Sequence, residues 1–369
     1  MTLAHQSNTK HTLLLAPGVP ILQRSSTEVQ IGISPQQSLI VGSQFAQEIL
    51  SRCQGQHSLG ELLEIASTSG LDTHSAHRTI ENLIAAGTLV AIDPTSMPDS
   101  IAMLEYSHQV NAQREVHSNR EKYELRSQIE IVIDGAGRLG TLIGVLLSVS
   151  GFAHIQVRDN RLTSWEDVSP WGASRVDIGI RRDFVANALI NRVHRQSVRG
   201  HLPALHATRR LVIVVPDQTA DWPWFNPLLG DRWLAAETPH MMVAAASGVA
   251  RITSVITPGE QPCIRCTTHH HIDQDPGWAT VMPQLIDRPT QDRVTSSLLV
   301  GTAQLTVGIV TQWVDYGTPR TMPSSDDFRE RTLPPDTGQV WQLHEHELVP
   351  QCSLTHFHAS CGCAWDRTV

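Results

Sequence analysis

Residues 128–159 read Gln128-Ile-Glu-Ile-Val-Ile-Asp134, then Gly135-Ala136-Gly137-Arg138-Leu139-Gly140, then an apolar run to Gly151, then His154-Ile155-Gln156-Val157-Arg158-Asp159. The first piece is a β-branched run of the kind a buried strand needs. The second is G-x-G-x-x-G. The third sets Leu139, Ile143, Leu146 and Leu147 on one helical face. The fourth is a short strand closed by an acid. Together they predict a βαβ unit with a nucleotide fingerprint at its first turn. Glycines there let the backbone approach a phosphate at a helix N-terminus. Asp159 falls where a ribose hydroxyl would be held. A competing use of Gly135, Gly137 and Gly140 is close packing of helix on strand, with no ligand.

The chain of 369 residues has room for two or three domains, and its 40% hydrophobic content suits a sizeable core. A net charge of −8 argues against nucleic-acid binding. No run of eighteen apolar residues predicts a membrane span. Residues 1–10 are polar, without the apolar core of a signal peptide, so a cytoplasmic location is expected.

Upstream of the βαβ unit, residues 1–12 read as a disordered tail and 13–93 as a small domain. Leu13 to Leu22 and Glu28 to Ile33 predict a hairpin across the polar Gln23–Thr27 turn. Gln44 to Cys53 is helical. Ser58 with Glu61 is a capping box opening a second helix. Asp72 caps a third, which Gly87 stops, and Thr88 to Ile92 is a closing strand. This order suggests a winged helix. The third helix carries Arg78 as its only strong base, whereas phosphate binding needs several, so the module is expected to grip peptide or protein. Residues 94–123 read as a linker, and a second domain, 124–369, follows.

Within that domain, Arg181 to Gln196 predicts a helix with Phe184, Leu189 and Ile190 inward. Arg210 to Asp217 predicts a strand with an acid at the edge where open α/β sheets bind ligands. Further strands are expected at 239–244 and 251–257, and a helix at Phe225 to Glu237. Thr295 to Tyr316 is a long apolar helical stretch, and strands are expected at 338–343 and 347–349.

Six cysteines occur, four of them in two close pairs. Paired cysteines in a chain of this kind favour metal over disulfides. Cys263-x-x-Cys266 is a knuckle that aims two thiolates at one ion, and Cys361-Gly362-Cys363 supplies two more. Four thiolates make a closed, structural zinc site. Cys352, His356 or His358 could stand in for one ligand. His269-His270-His271 reads as a solvated loop, because consecutive side chains of an extended chain alternate direction. Cys53 falls on an apolar face and is expected in the core.

These motifs resemble the ThiF/MoeB adenylyltransferases, relatives of the ubiquitin-activating enzymes. The likeness rests on the G-x-G-x-x-G unit, Asp159, Asp177-Ile178-Gly179, Pro258-Gly259-x-x-Pro262-Cys263-x-x-Cys266 and the late cysteine pair. It covers about Glu124 to Trp365. Pro239-His240, Asp275-Pro276-Gly277-Trp278 and the final Cys-Gly-Cys-Ala resemble the ThiF-like proteins of bacteriocin biosynthesis, as does an N-terminal peptide-recognition module. The resemblance implies an α/β fold: a Rossmann-like ThiF-type domain behind a winged helix. Adenylating members use Mg·ATP, and in them Gly135, Gly137, Arg138, Gly140 and Asp159 would cradle nucleotide while Arg182 and Asp217 served the reaction.

The departures are specific. The second acid of the family pattern is Arg161 here. The family's Ser-Asn-Leu-x-Arg-Gln segment is replaced by Trp165-Glu166-Asp167-Val168-Ser169-Pro170, with no phosphate-contacting Arg. The lysine after Asp-Ile-Gly is Arg182. Losing a phosphate-binding cation from a reaction governed by charge stabilisation costs several kcal/mol of barrier. The expectation is therefore a non-adenylating scaffold that binds the leader of a ribosomal precursor peptide and presents it to a YcaO-type cyclodehydratase. The leader would add to edge strand Glu28–Ile33 beside the third helix. A working adenylyltransferase is the alternative, and adenylating relatives commonly form homodimers.

Overall fold

A computed structural model describes residues 11–16, 19–33, 38–86, 88–92, 125–193, 209–216, 226–286, 294–316, 337–347 and 349–363. The chain divides into two compact units, Met1–Tyr123 and Glu124–Val369. Residues 1–10 of the expected tail, the linker, Gly87 and Asp217 fall on positions outside the described residues, whereas Thr12, placed in that tail, opens the first strand and pairs with Ile92.

In the first unit, β1 (Thr12–Leu15) is the middle of a three-stranded sheet, between β5 (Gln54–Ser58) and β6 (Leu89–Ile92). A second sheet runs β2 (Ile21–Gln23), β3 (Glu28–Ile31), β4 (Leu39–Gly42), all antiparallel. The helices are α1 (Ser43–Glu48), α2 (Leu59–Thr68) and α3 (Thr73–Ala85). Leu13, Ile31, Ile49, Leu62, Ile80, Leu83 and Cys53 meet in one core. Burial there pushes the Cys53 thiol up to about 12, so it stays an inert apolar group. Two helix starts follow from sequence. Glu61 N–H donates to Ser58 Oγ while Ser58 N–H donates to Glu61 Oε2, and Ser75 N–H donates to Asp72.

One expectation is overturned here. Glu28–Ile33 is not an edge strand, because β3 pairs on both sides, with β2 and with β4. The sequence offered β3 the apolar alternation that also marks an edge. The short apolar run of β4 and the polar strand β5 are not among the strands expected from the sequence. The edges of this sheet are β2 and β4.

The second unit is built on a seven-stranded mixed sheet, order β13-β12-β11-β10-β9-β7-β8. Strands β7 (Ile129–Asp134), β8 (His154–Arg158), β9 (Arg209–Val214) and β10 (His240–Ala246) are parallel. Strands β11 (Val249–Thr253), β12 (Thr337–His344) and β13 (Gln351–His356) continue antiparallel. This is the sheet of a Rossmann-like α/β fold. Central parallel strands are covered on both faces and read as continuous apolar runs. Accordingly Ile129, Ile131 and Ile133 enter one core and Val132 the other.

On the first face lie α4 (Arg138–Val149), α5 (Arg182–Val193) and α9 (Ser296–Tyr316). Helix α4 buries Leu139, Leu142, Ile143 and Leu147, an i, i+3, i+4, i+8 stripe. Helix α9 is the one described helix long and apolar enough to cross a bilayer by length and composition, and it packs on α4, β10, β11 and β12. Phe184 of α5 departs from expectation. It is 63% exposed and lies under the Arg181 guanidinium, while Ala186 and Ile190 face the core. The opposite face carries α6 (Leu228–Ala235) and α7 (Ile264–Gln274), and α8 (Trp278–Ile286) follows.

Candidate functional site

The turn after β7 holds the glycines tightly. Gly135 has φ 123°, and a Cβ there would sit 2.0 Å from the Val215 carbonyl oxygen. A Cβ on Gly140 would sit 2.0 Å from the Gly135 carbonyl oxygen. Gly137 is the N-cap of α4. Packing alone thus requires two of the three fingerprint glycines.

Asp159, after β8, turns its carboxylate into this turn, and its side chain is 3% exposed. Oδ2 accepts from the Ala136 N–H at 3.0 Å. Arg161 covers the rest. Its Nε donates to Oδ1 at 2.9 Å, its Nη2 to Oδ2 at 2.7 Å, and its backbone N–H to Oδ1 at 3.0 Å. Burial raises the Asp159 pKa. The hydrogen bonds from Arg161 and Ala136 together outweigh it, and the carboxyl is held below its ordinary range. Arg182 lies behind, with Nε on Asp167 Oδ2 at 2.8 Å and Nη1 3.7 Å from Asp159 Oδ2. Asp167 also accepts from Ser164 N–H and Oγ, closing the Ser164–Asp167 turn. Arg138 donates to the Val294 carbonyl at 3.1 Å. Of the predicted residues, the three glycines, Asp159 and Arg182 come together here, while Arg138 turns to the Val294 carbonyl. Arg161 and Arg182 face the carboxylates of Asp159 and Asp167.

The second cluster lies on the other face. Cys263 caps α7 and Cys266 sits in its first turn, both buried, while Cys361 and Cys363 arrive from the chain after β13. The four Sγ atoms lie within 4.8 Å of one another, with Cys263–Cys361 at 3.4 Å and Cys266–Cys363 at 3.3 Å. Thiolates about 2.3 Å from a tetrahedral ion stand roughly 3.8 Å apart, so this set could hold a metal ion. As bare thiols they cannot all ionise. Hydrogen bonding to its three neighbours holds the Cys263 proton on, and hydrogen bonds from the same group push Cys363 down. Cys352 is exposed on β13 and outside the set, which excludes it as a substitute ligand.

The His269–His271 run is the plainest correction. It lies in α7, not in a loop. The sequence argument assumed an extended chain, where neighbours alternate. In a helix His270 instead aligns with residues three and four positions away. Nearby, α7, β11, β12 and β13 enclose a cavity of about 290 Å³ lined by Arg251, His270, His271 and His356 among others.

The whole chain has relatives in shape. The fold is similar to that of E. coli MccB. A structure of MccB with succinimide matches with a TM-score of 0.56 at 14% identity, over 96% of this chain and 99% of that one. The microcin C7 biosynthetic enzyme MccB in complex with N-formylated MccA matches at 0.54 and 14%, over 95% and 99%. A heterocyclase in complex with substrate and cofactor matches at 0.56 and 14%, over 96% of this chain and 39% of that one. At such identity the likeness to MccB is one of fold. No family model and no curated protein matches the sequence.

Proposed function

We propose that this chain is a non-adenylating, ThiF-like peptide-binding protein. It would capture the leader of a ribosomal precursor peptide and present it to a separate YcaO-type cyclodehydratase. In the first unit, α1, β5, α2, α3 and β6 follow the order of a winged helix, with β1 supplying the strand between β5 and β6. The observation that carries the reading is the outer edge of β2. It pairs only with β3 among the described residues, and Ile21 and Leu22 are 41% and 43% exposed. An exposed apolar strand with free backbone groups is a template for strand addition. This moves the expected groove from β3 to β2.

Two comparisons support the surrounding story. MccB is seen with the peptide MccA, and the heterocyclase matched over 39% of its length carries far more chain than this fold. Zinc on Cys263, Cys266, Cys361 and Cys363 would fasten the end of the chain to α7.

The test is fluorescence anisotropy of the full chain with leader segments of precursor peptides encoded beside it. Micromolar binding is expected, weakened at least tenfold by Ile21→Asp with Leu22→Asp. Binding unchanged in that variant would remove β2 from the argument, and no binding by any leader would remove the function.

The second reading, ATP-dependent activation of a peptide carboxylate, draws on the MccB structure with ATP, matched at a TM-score of 0.54. Arg161 on Asp159 weighs against it, since the residue placed for the ribose is already bound on both oxygens.

A further inference from the structure

Helix α7 carries Cys263, Cys266, His270 and Asp273, spaced three, four and three apart. That spacing lines one face of a helix. The chain after β13 answers with His358, Cys361 and Cys363. The four cysteines account for one end of this stripe. At the other end the ligand atoms of His270, Asp273 and His358 lie within 4.8 Å of one another.

The hydrogen bonds fix which nitrogens carry lone pairs. His270 Nε2 lies 2.9 Å from the His356 carbonyl oxygen, which only accepts, so Nε2 holds the proton and Nδ1 the lone pair. A metal-binding imidazole usually has such a carbonyl on its second nitrogen. In His358, Nδ1 accepts the Ser360 N–H at 3.1 Å, so Nε2 holds the proton and gives it to Asp273 Oδ2 at 2.8 Å. His358 is fixed on its remaining side by stacking on His269, with centroids 4.9 Å apart and 18° between planes. Nitrogen and oxygen ligands about 2.0–2.1 Å from a tetrahedral ion stand roughly 3.3 Å apart, half an ångström beyond the present contact.

We propose that His270, Asp273 and His358 form a second site for a divalent transition-metal ion, of the zinc type, distinct from the four-cysteine cluster. As the ion takes the place between His358 and Asp273, the His358 proton moves from Nε2 to Nδ1 and the exposed Ser360 N–H turns to solvent, so the imidazole binds neutral and no proton is released. Two imidazoles and one carboxylate leave a fourth position open to water, so this site exchanges its ion faster than a closed thiolate set. Both sites join the same two segments, and together they clamp residues 358–363 along α7.

The full chain, loaded with Zn²⁺ and gel-filtered, is assayed for metal per chain, and its Co²⁺ form is read by absorption. Asp273→Ala and His270→Ala are expected to hold one equivalent less than wild type, with the thiolate-to-cobalt band unchanged. Asp273 is exposed, so its loss should not prevent folding. Asp273→Asn keeps an acceptor for His358 while weakening the ligand, and is expected to lose the ion as well. His269→Ala and His271→Ala are the controls and should lose none. Equal metal in wild type and both alanine variants overturns the proposal, as does an equal loss in the controls. Absence of the thiolate band would count against the cysteine cluster alone, because the second site is read from the difference between variants.

Discussion

Arg161 and Asp159 form a two-pronged ion pair at the position where nucleotide-binding members of this fold hold a ribose, with N–O distances of 2.9 and 2.7 Å. The aspartate side is buried and the arginine side is 43% exposed. An incoming ribose would have to displace a charge-assisted, bidentate contact from a nearly dry carboxylate. Wild-type protein is therefore expected to give no heat with Mg·ATP at millimolar concentration in titration calorimetry. Micromolar binding that disappears in Asp159→Ala would instead establish a working nucleotide site.

The same pair has a structural role. Asp159 accepts the Ala136 N–H inside the glycine turn. Asp159→Ala leaves that buried donor unpaired, at a cost of about 1–3 kcal/mol. Denaturant unfolding should show the loss whether or not nucleotide binds.

Much of the second unit could be read from sequence because its signals are local. The β7–α4–β8 unit declares itself through β-branched runs and a helical stripe. The two cysteine pairs declare themselves through spacing. What was hidden depends on tertiary choice. The pairing of β3 on both sides is decided by β4, whose Leu39-Ile40-Val41 run marks a strand but is too short to show which neighbour it joins. His270 and Asp273 became neighbours only once 264–274 was a helix. Asp159 and Arg161 are two residues apart, yet that the arginine folds back onto the acid is a matter of side-chain geometry. Strand β13 lies at 351–356 rather than at 347–349, because its alternating run is mostly polar and exposed.

Arg126 and Asp315 form a buried pair, each side chain 1% exposed, with Nε to Oδ1 at 2.9 Å. Arg126 Nη1 also donates to the Ser150 carbonyl, so α9 and the end of α4 are tied together. Removing one partner strands a charge in the core. Asp315→Ala should cost about 3–5 kcal/mol. Arg126→Met with Asp315→Leu should recover most of it, which a double-mutant cycle from urea melts will show.

His240 of β10 is fully buried, with Nδ1 on the Thr238 carbonyl at 3.0 Å. Burial lowers its pKa, against the smaller opposing effect of the Thr238 hydrogen bond. The sign follows: below about 6.5 the unfolded histidine takes up a proton that the folded one refuses. Stability is thus full above that pH and falls as pH drops toward the folded pKa, by up to about 1.4 kcal/mol per pH unit. His240→Asn can keep the donor to Thr238 and should flatten this slope in denaturant midpoints taken between pH 7 and 5. An unchanged slope would assign the dependence to other groups.

Gly140 and Gly308 should respond to the same substitution with opposite signs. Both lie in helices, α4 and α9, where alanine is favoured over glycine by about 1 kcal/mol. At Gly308 nothing lies within 4 Å of the added Cβ, so Gly308→Ala should raise stability by about 0.5–1 kcal/mol. At Gly140 the added Cβ meets a backbone oxygen that cannot move aside without opening the β7–α4 turn. Gly140→Ala should cost about 1–3 kcal/mol or more, the scale of overpacking. Since Gly140 belongs to the nucleotide fingerprint, the paired measurement separates its two uses. A large stability loss in a protein that binds no ATP makes the glycine an architectural residue. A Gly140→Ala variant of wild-type stability would mean the close approach of α4 to β7 is not what requires it.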